Sequence, residues 1–197
     1  MVDYDLILAS ASPRRTEILQ QMGVRHQIKP TDIDETPRPC ESAIHYVQRM
    51  ALEKAQYVIA LGLDNKPVLG ADTCVVFDTK IFGKPRDQDQ AIEMLGALSG
   101  STHQVLTAVA MGNAKQCSVS ISITEVIFRT ITRQECLHYW QTGEPRDKAG
   151  SYAIQGYGSV FVESIKGSYS GVVGLPIEET FTLLQAFGVP IWGLAKS

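Results

Sequence analysis

The sequence has few cysteines, and its four are widely spaced: Cys40, Cys74, Cys117 and Cys136. They form no CxxC pair, so neither a structural zinc site nor a CxxC redox site is predicted. Cys74 stands inside an apolar strand pattern, as is typical of a small buried hydrophobic residue. This cysteine usage favours a reduced, cytoplasmic setting.

Long apolar runs and an excess of positive charge are also missing. No stretch approaches the ~20 apolar residues that a membrane-spanning helix needs. At the N-terminus, Asp3 and Asp5 precede an apolar run too short for a signal peptide, so we expect neither a signal segment nor a membrane partner. The formal net charge is -3, which argues against a stable nucleic-acid-binding surface. Any bound anion would have to meet a local cluster of basic residues.

Several common active-site motifs are absent as well. The sequence contains neither a P-loop, G-x-x-x-x-G-K-[ST], nor a G-x-G-x-x-G segment after a strand. It has no G-x-S-x-G nucleophile elbow, and its histidines lack metal-ligand spacing. A P-loop, Rossmann or α/β-hydrolase site and a histidine-held metal are therefore not predicted.

Helix and strand signals alternate along the chain, separated by Gly, Pro and Asp. The patterns predict helices at about 13–23, 42–61, 88–98, 132–143 and 176–187. They predict strands at about 4–10, 26–29, 103–112 and 118–131, a hairpin within 67–85, and strand residues around 160–162. Because no repeat or linker divides the chain, we predict a single domain over residues 1–197. Its class is α/β, with a mixed β-sheet flanked by helices and two lobes around a cleft.

The first helix begins with Ser12-Pro13-Arg14-Arg15, which is unusual. Ser12 can cap free N–H groups, and Pro13 suits the first helical position. Arginines are unexpected there, because the positive end of the helix dipole favours acidic residues. One interpretation is a phosphate site built from N–H groups and guanidinium groups. The alternative is a pair of solvated arginines, one of them paired with Glu17 or another carboxylate.

Asp72 lies in Gly70-Ala71-Asp72-Thr73, directly after an apolar strand-like run. A carboxylate in this position can be aimed into a cleft, where it would hold a divalent cation or orient a water. The alternative is an Asx turn, in which Asp72 accepts a hydrogen bond from its own backbone. The strand pattern resumes at Thr73, which does not favour a turn.

The loop before the second helix carries Asp32, Asp34 and Glu35 among prolines. Mg²⁺ prefers carboxylate oxygens and keeps several waters, so one of these residues could complete a metal site with Asp72. A solvated acidic turn is the alternative.

Two lysines are candidates for phosphate contacts. Lys54 lies at the edge of the apolar stripe of the second helix, where its side chain would by default extend past apolar neighbours to solvent. Lys84 stands between Gly83 and Pro85, and it either meets a phosphate or is simply solvated.

The last candidate, Gln155, directly precedes a pair of glycines. Gly156-Tyr157-Gly158 is typical either of a close backbone approach to a ligand or of a turn. Gln155, just before it, could hydrogen-bond to the edge of a base.

Eight segments occur in the order found in the Maf family of nucleotide pyrophosphatases, which was first named for a link to septum formation. They are LASASPRR, DETPRP, LEKA, LGADT, GKPRD, LSGSTHQVLTAV, DKAGSYAIQGYG and VVGLP, and the resemblance around them runs from Leu6 to about Gln185. The chain therefore resembles that family over nearly its whole length. The resemblance implies an elongated sheet and a fold related to inosine-triphosphate pyrophosphatases. It also implies conversion of a nucleoside triphosphate to the monophosphate and pyrophosphate with a divalent metal, Mg²⁺ or Mn²⁺.

The resemblance also implies residue roles. Asp72 matches the family's acidic catalytic residue, and Glu35 matches its companion in metal binding. Arg14, Thr73 and Gln155 match the positions that distinguish the dTTP/UTP branch. The remaining family positions, expected to bind phosphate, fall on Ser12, Arg15, Lys54 and Lys84.

Two other functions remain open at this stage. The same phosphate site would serve a nucleotide-binding regulator of septum formation that acts through a partner with little catalysis. A hydrolase of the same fold class could instead release orthophosphate and leave a diphosphate. The resemblance further suggests a homodimer.

Overall fold

The computed structural model of the chain describes residues 4–63 and 65–192, so the predicted domain ends, residues 1 and 197, lie outside the described residues. The strands in this part are β1 (Leu6–Leu8), β2 (His26–Ile28), β3 (Val68–Phe77), β4 (Lys80–Phe82), β5 (Thr102–Gly112), β6 (Cys117–Phe128) and β7 (Val162–Lys166). They form one mixed sheet in the order β2-β1-β3-β5-β6-β7, with β4 paired to β3 off this path. The pairs β1–β2 and β1–β3 are parallel, and the others are antiparallel.

The helices largely match the predictions. They are α1 (Pro13–Gln21), α2 (Ala43–Ala60), α3 (Gln88–Leu98), α4 (Arg133–Gln141), α5 (Tyr169–Val173) and α6 (Ile177–Ala186). Asp87 caps α3 by accepting a hydrogen bond from Gln90 N at 2.8 Å, and Thr132 with Glu135 forms the predicted capping box of α4. None of the helices in the described ranges is both long enough and apolar enough to span a bilayer.

Helix α2 packs tightly against β3. Its buried residues Val47, Ala51, Ala55 and Val58 repeat every three or four positions and face one side of the sheet. Gly70 of β3 lies beneath them, where an added Cβ would be 2.8 Å from Ala55 N and closer still to a backbone oxygen of α2. Glycine at this position therefore lets the helix approach the strand, and that approach places the polar residues of α2 beside those of β3.

The opposite face of the sheet carries the larger core, which packs against α1, α3, α4, α5 and α6. An aromatic group stands at its centre. Phe128 is 1% exposed and makes edge-on contacts with the rings of His103 and Tyr152, at centroid distances of 4.8 and 4.7 Å. Tyr152 belongs to the irregular chain that follows α4, so its ring joins that chain to the core.

One edge of β3 is interrupted. On that side β3 pairs with β1 only at Val68 and Leu69, and with β4 only from Val75 to Phe77. On its other side the ladder with β5 runs unbroken from Val68 to Val76. Residues 70–74 therefore face a gap where the strands diverge, which is the usual place for a ligand cleft in open α/β sheets.

The region after α4 departs from the predictions. Val160 and Phe161, predicted as strand, lie in a 3₁₀ segment (Tyr157–Phe161), and β7 begins only at Val162. Helix α5 was not predicted in the glycine-rich stretch. It forms because Ser168 caps it, accepting a hydrogen bond from Gly171 N at 3.0 Å.

Candidate active site

The gap beside β3 opens into a cleft of about 730 Å³. It is bounded by the start of α1, the acidic loop, α2, the β4 end and the chain between α4 and β7. All nine predicted site residues line it: Ser12, Arg14, Arg15, Glu35, Lys54, Asp72, Thr73, Lys84 and Gln155. Residues from six separate stretches of the chain thus meet in one cavity.

At one end of the cleft a lysine bridges two carboxylates. Lys54 Nζ lies 2.6 Å from Asp72 Oδ1 and 2.7 Å from Glu35 Oε1. Asp72 and Lys54 are each 7% exposed, whereas half of the Glu35 side chain is exposed. The default solvent-directed lysine and the Asx turn at Asp72 are therefore wrong, while Glu35, in the acidic loop, is half-exposed and paired with Lys54. We call Glu35, Lys54 and Asp72 the carboxylate end of the cleft.

The electrostatics of the carboxylate end follow from burial and from Lys54. Burial raises the pKa of Asp72, while the charge and hydrogen bond of Lys54 and the charge of Arg15 oppose the rise. Burial would also raise the pKa of Glu35. There, however, the hydrogen bond and charge of Lys54, helped by Lys84 and Arg15, outweigh burial and leave the pKa below its ordinary value. Lys54 thus lowers the pKa of both carboxyls, but burial outweighs it at Asp72 and does not at the half-exposed Glu35.

Arg15 is fixed by neutral partners and not by a carboxylate. Its Nε donates to Gly174 O at 2.8 Å, one terminal nitrogen donates to Ser10 Oγ at 2.9 Å, and the other approaches Thr73 Oγ1 at 3.4 Å. The alternative in which one of the two arginines pairs with Glu17 or another carboxylate therefore does not hold for Arg15. A guanidinium has five N–H donors, so Arg15 is oriented and still has donors left for an anion.

Ser12 does not act as the predicted cap. It occupies the N-cap position of α1, but its side chain makes no capping hydrogen bond. Its own N–H donates to Ser10 Oγ at 3.2 Å. The hydroxyl of Ser12 and the first N–H groups of α1 are thus left available at the cleft, which favours anion binding.

Thr73 projects from the face of β3 opposite to Asp72 and joins a hydroxyl chain that the sequence did not reveal. Its Oγ1 lies 2.9 Å from Thr107 Oγ1, and Thr107 donates to Gly171 O at 2.7 Å. Because Thr107 has one hydroxyl hydrogen and gives it to Gly171, Thr73 must donate to Thr107. Its oxygen is then left with acceptor capacity toward the cleft.

The other candidate side chains are less constrained. Within the described residues, Arg14, Lys84 and Gln155 have no hydrogen-bond or ion-pair partner at their side-chain ends, and Lys84 and Gln155 are exposed. Lys148 and Asp147, which pair with each other, also line the cleft and were missed by sequence reasoning. Their only local signal was a neighbouring acid and base, which is common on surfaces.

The residues present fit a divalent cation only if the substrate supplies part of its coordination. The described ranges hold no group of three or more His, Cys, Asp or Glu side chains placed to bind a metal. Asp72 and Glu35 nevertheless direct oxygens at a single positive centre, the Lys54 ammonium. Mg²⁺ commonly takes one or two carboxylates and completes its shell with phosphates and water. Such an ion fits here if it arrives with phosphates and Lys54 gives way.

Comparison with known proteins finds a matching family model and similar curated proteins over nearly the whole chain. A family model described as "Maf-like protein" matches residues 5–187. The dTTP/UTP pyrophosphatase of Saccharophagus degradans is 50% identical over 191 residues, covering 95% of this chain and 91% of that protein. That of Pasteurella multocida is 48% identical over 200 residues, covering 98% of this chain and all of that protein.

Among solved structures, the Staphylococcus aureus Ham1 protein superposes with a TM-score of 0.50 at 13% identity, covering 92% of this chain and 96% of that one. At this identity the likeness concerns the fold alone. The fold class expected from the sequence, an α/β fold with a mixed sheet flanked by helices, is confirmed.

Proposed function

The chain belongs to the Maf-like protein family, and on that premise we propose that it hydrolyses dTTP and UTP to the monophosphate and pyrophosphate. The observation that carries this proposal is the Asp72–Lys54–Glu35 arrangement in a cleft lined by further basic side chains. Cleavage of a phosphoanhydride needs a proton acceptor beside the attacking water and positive charge around the leaving group. Both are supplied within this one cavity.

Asp72 is the proposed proton acceptor. A water adds to the α-phosphorus, forming a new P–O bond while the bond to the bridging oxygen of the β-phosphate breaks. Asp72 takes the proton of that water, and burial makes this carboxylate a better acceptor than an exposed aspartate. The pyrophosphate leaves with added negative charge. The side chains proposed to stabilise that charge are Ser12, Arg15, Lys54 and Lys84.

Asp72 and Glu35 are also the proposed ligands of a divalent cation, Mg²⁺ or Mn²⁺. When bound, such a cation supplies positive charge to the phosphates and lowers the pKa of a coordinated water. Lys54 holds the two carboxylates together until then, so the free site contains no uncompensated pair of negative charges.

Base selection is proposed for Arg14, Thr73 and Gln155. Thr73 offers an acceptor oxygen whose direction is set by Thr107, and Gln155 offers both a donor and an acceptor. Arg14 adds a charged donor at the start of α1. A pyrimidine edge presents donor and acceptor groups side by side, which suits such a mixed set.

The test is to incubate the purified protein with each common nucleoside triphosphate and Mg²⁺ or Mn²⁺, and to separate the products. Release of pyrophosphate with dTMP or UMP, in preference to purine monophosphates, is the expected result. A parallel reaction with a chelator measures the metal requirement. Release of orthophosphate would instead indicate cleavage at the terminal phosphate. Saturable dTTP binding without turnover would favour the nucleotide-binding regulator and remove the catalytic role of Asp72.

The proposal also covers the setting of the enzyme: one domain, a homodimer, and a reduced cytoplasmic location. Cys40, Cys74, Cys117 and Cys136 are free thiols in the structure, which is compatible with that location.

The edge of β6 supports the proposed dimer. Strand β6 pairs with β7 only from Glu125 onward, so residues 117–124 have no strand on that side within the described chain. Light scattering of the purified protein tests the dimer.

A further inference from the structure

Gln155 lies on a short irregular segment, residues 153–158, which we call the Gln155 segment. It contains a turn and a bend and then enters the 3₁₀ segment at Tyr157. No ladder of a sheet and no helical hydrogen-bond series passes through Gln155 itself. The direction of its amide must therefore be set by whatever holds the segment on either side.

Two side chains hold it. Glu144 accepts hydrogen bonds from Tyr157 N through Oε2 at 2.9 Å and from Gly158 N through Oε1 at 3.0 Å. Tyr139, at the end of α4, donates to Glu144 Oε1 at 2.6 Å and accepts from Ala153 N at 3.1 Å. The segment is thus tied two residues before Gln155 and two and three residues after it.

The two glycines of the segment are explained by this arrangement. A Cβ at Gly156 would fall within the Glu144 carboxylate. A Cβ at Gly158 would lie 2.6 Å from the Tyr139 hydroxyl oxygen and 2.9 Å from Ala153 O. The close backbone approach that Gly156-Tyr157-Gly158 suggests is therefore an approach to Glu144 and Tyr139, not to a bound ligand.

The charge of Glu144 suits it to this task. Burial by itself would raise its pKa, but the hydrogen bonds from Tyr139, Gly158 and Tyr157 outweigh burial and lower the pKa below its ordinary value. The group is therefore an ionised acceptor at neutral pH. Hydrogen bonds from backbone N–H groups to a carboxylate are stronger than those to a neutral oxygen.

We propose that Glu144 and Tyr139 are positioning residues for base selection, which act by fixing the backbone on both sides of Gln155. Neither side chain lines the cleft, whereas Ala153 and Gln155 do. The inference rests on the proposed function, because it assigns to Gln155 a contact with the base. The new element is the role of Glu144 and Tyr139, which make the contact between Gln155 and the base selective.

The main test variant is Tyr139→Phe, which removes the hydroxyl and keeps the ring packed edge-on against Phe161. Glu144→Gln is the second, since an amide of the same shape must turn its NH₂ group toward N–H donors. We expect each to lower the dTTP-over-GTP ratio of kcat/KM about tenfold, with the change mainly in KM for dTTP. A general loss of folding would instead lower kcat/KM for both nucleotides together.

A double-mutant cycle separates positioning from a merely structural role. If Tyr139 acts through Gln155, Tyr139→Phe shifts the ratio by less than about twofold in a Gln155→Ala background. The matched control is Glu135→Gln on the same helix, where a carboxylate accepts from Thr132 N at 2.8 Å but does not line the cleft. This variant should lose stability and keep the ratio.

An unchanged ratio in Tyr139→Phe, or an equal shift with and without Gln155, would overturn the inference. Hydrolysis of neither nucleotide by the unsubstituted protein would overturn the proposed function instead. In that case the same cycle, measured as dTTP and GTP dissociation constants by calorimetry, still decides the positioning role.

Discussion

The carboxylate end of the cleft and the Gln155 segment, which both line it, are built in different ways. The carboxylate end is held by regular secondary structure: Asp72 lies within a ten-residue strand and Lys54 within an eighteen-residue helix, in close contact at Gly70. The Gln155 segment lines the same cleft, but here side chains take the place of a ladder or helix in holding the backbone. In the proposed function, the reaction itself therefore depends on a strand and a helix, whereas base selection depends in part on an irregular segment.

This difference teaches where sequence change is tolerated. At the carboxylate end, a substitution must preserve both the packing of α2 on β3 and a balanced set of buried charges. At the Gln155 segment, the backbone path depends on a few hydrogen bonds of about 1–3 kcal/mol each. We expect substitutions at the carboxylate end to abolish activity and those in the Gln155 segment to change which nucleotide is preferred.

The largest effect is expected for Asp72→Asn, which keeps the shape of the side chain but cannot accept a proton. We expect kcat to fall by about a thousandfold. This lies within the range observed when a general base or a charged contact of the transition state is removed. The fold should persist, as measured by circular dichroism and by the melting temperature. Activity near that of the unsubstituted protein would contradict the role of Asp72.

The next effect is on stability. Lys54→Met keeps the length of the buried chain but leaves Asp72 without its cation, and removing one partner of a buried pair costs about 3–5 kcal/mol. We expect the free energy of unfolding at pH 7 to fall by about that amount. The double variant with Asp72→Asn should recover part of it. Urea titrations measure both, and no recovery in the double variant would argue against the pair as the cause.

The free energy of unfolding should depend on pH through His103, which is buried in the core beside Tyr152. Burial lowers the pKa of His103 to about 4, and its Nδ1 has no hydrogen-bond partner among the described residues. The unfolded chain, with an ordinary histidine pKa, binds more protons between pH 6.5 and 4, so stability is full above pH 6.5 and falls as the pH drops. We expect a loss of about 2 kcal/mol between pH 7 and 4.5.

His103→Gln is the control, because glutamine does not titrate and can still bond to the Tyr152 hydroxyl, which lies 2.8 Å from His103 Nε2. The difference between the two proteins in urea titrations at pH 7 and 4.5 isolates the histidine. An equal loss in both proteins would assign the pH dependence to other groups.

The smallest effect is a change of preference. Gln155→Glu removes the amide donor and adds a negative charge at the tip of the segment. We expect the dTTP-to-GTP ratio of kcat/KM to fall about tenfold, as for the loss of a polar contact of about 1.4 kcal/mol. Turnover with the best substrate measures whether the carboxylate end is intact. A ratio that stays constant would remove Gln155 from base selection.

Sequence reasoning succeeded where periodicity is strong. The stripe of α2 and the unbroken pattern through β3 predicted both elements to within a few residues, and the caps at Asp87 and Thr132 were correct. All nine candidate residues line one cleft, and three of them, Lys54, Asp72 and Thr73, lie within the two elements α2 and β3.

It failed where side chains from distant residues decide the local structure. The pattern at Val160 and Phe161 favours a strand, but Glu144 satisfies the N–H groups just before them and a 3₁₀ segment forms. The ionic bridge of Lys54 and the hydroxyl chain through Thr107 join residues that are 18 and 34 positions apart. No local spacing in the sequence shows such contacts.

The charges that line the cleft bear on the form in which a nucleotide enters. Five cationic and three anionic side chains face it: Arg14, Arg15, Lys54, Lys84, Lys148, Glu35, Asp72 and Asp147. Their excess is two positive charges. A free triphosphate carries roughly four negative charges, and roughly two once a divalent cation is bound. The net charge of the cleft lining thus balances that of the metal–nucleotide complex, so we expect nucleotide and cation to enter together.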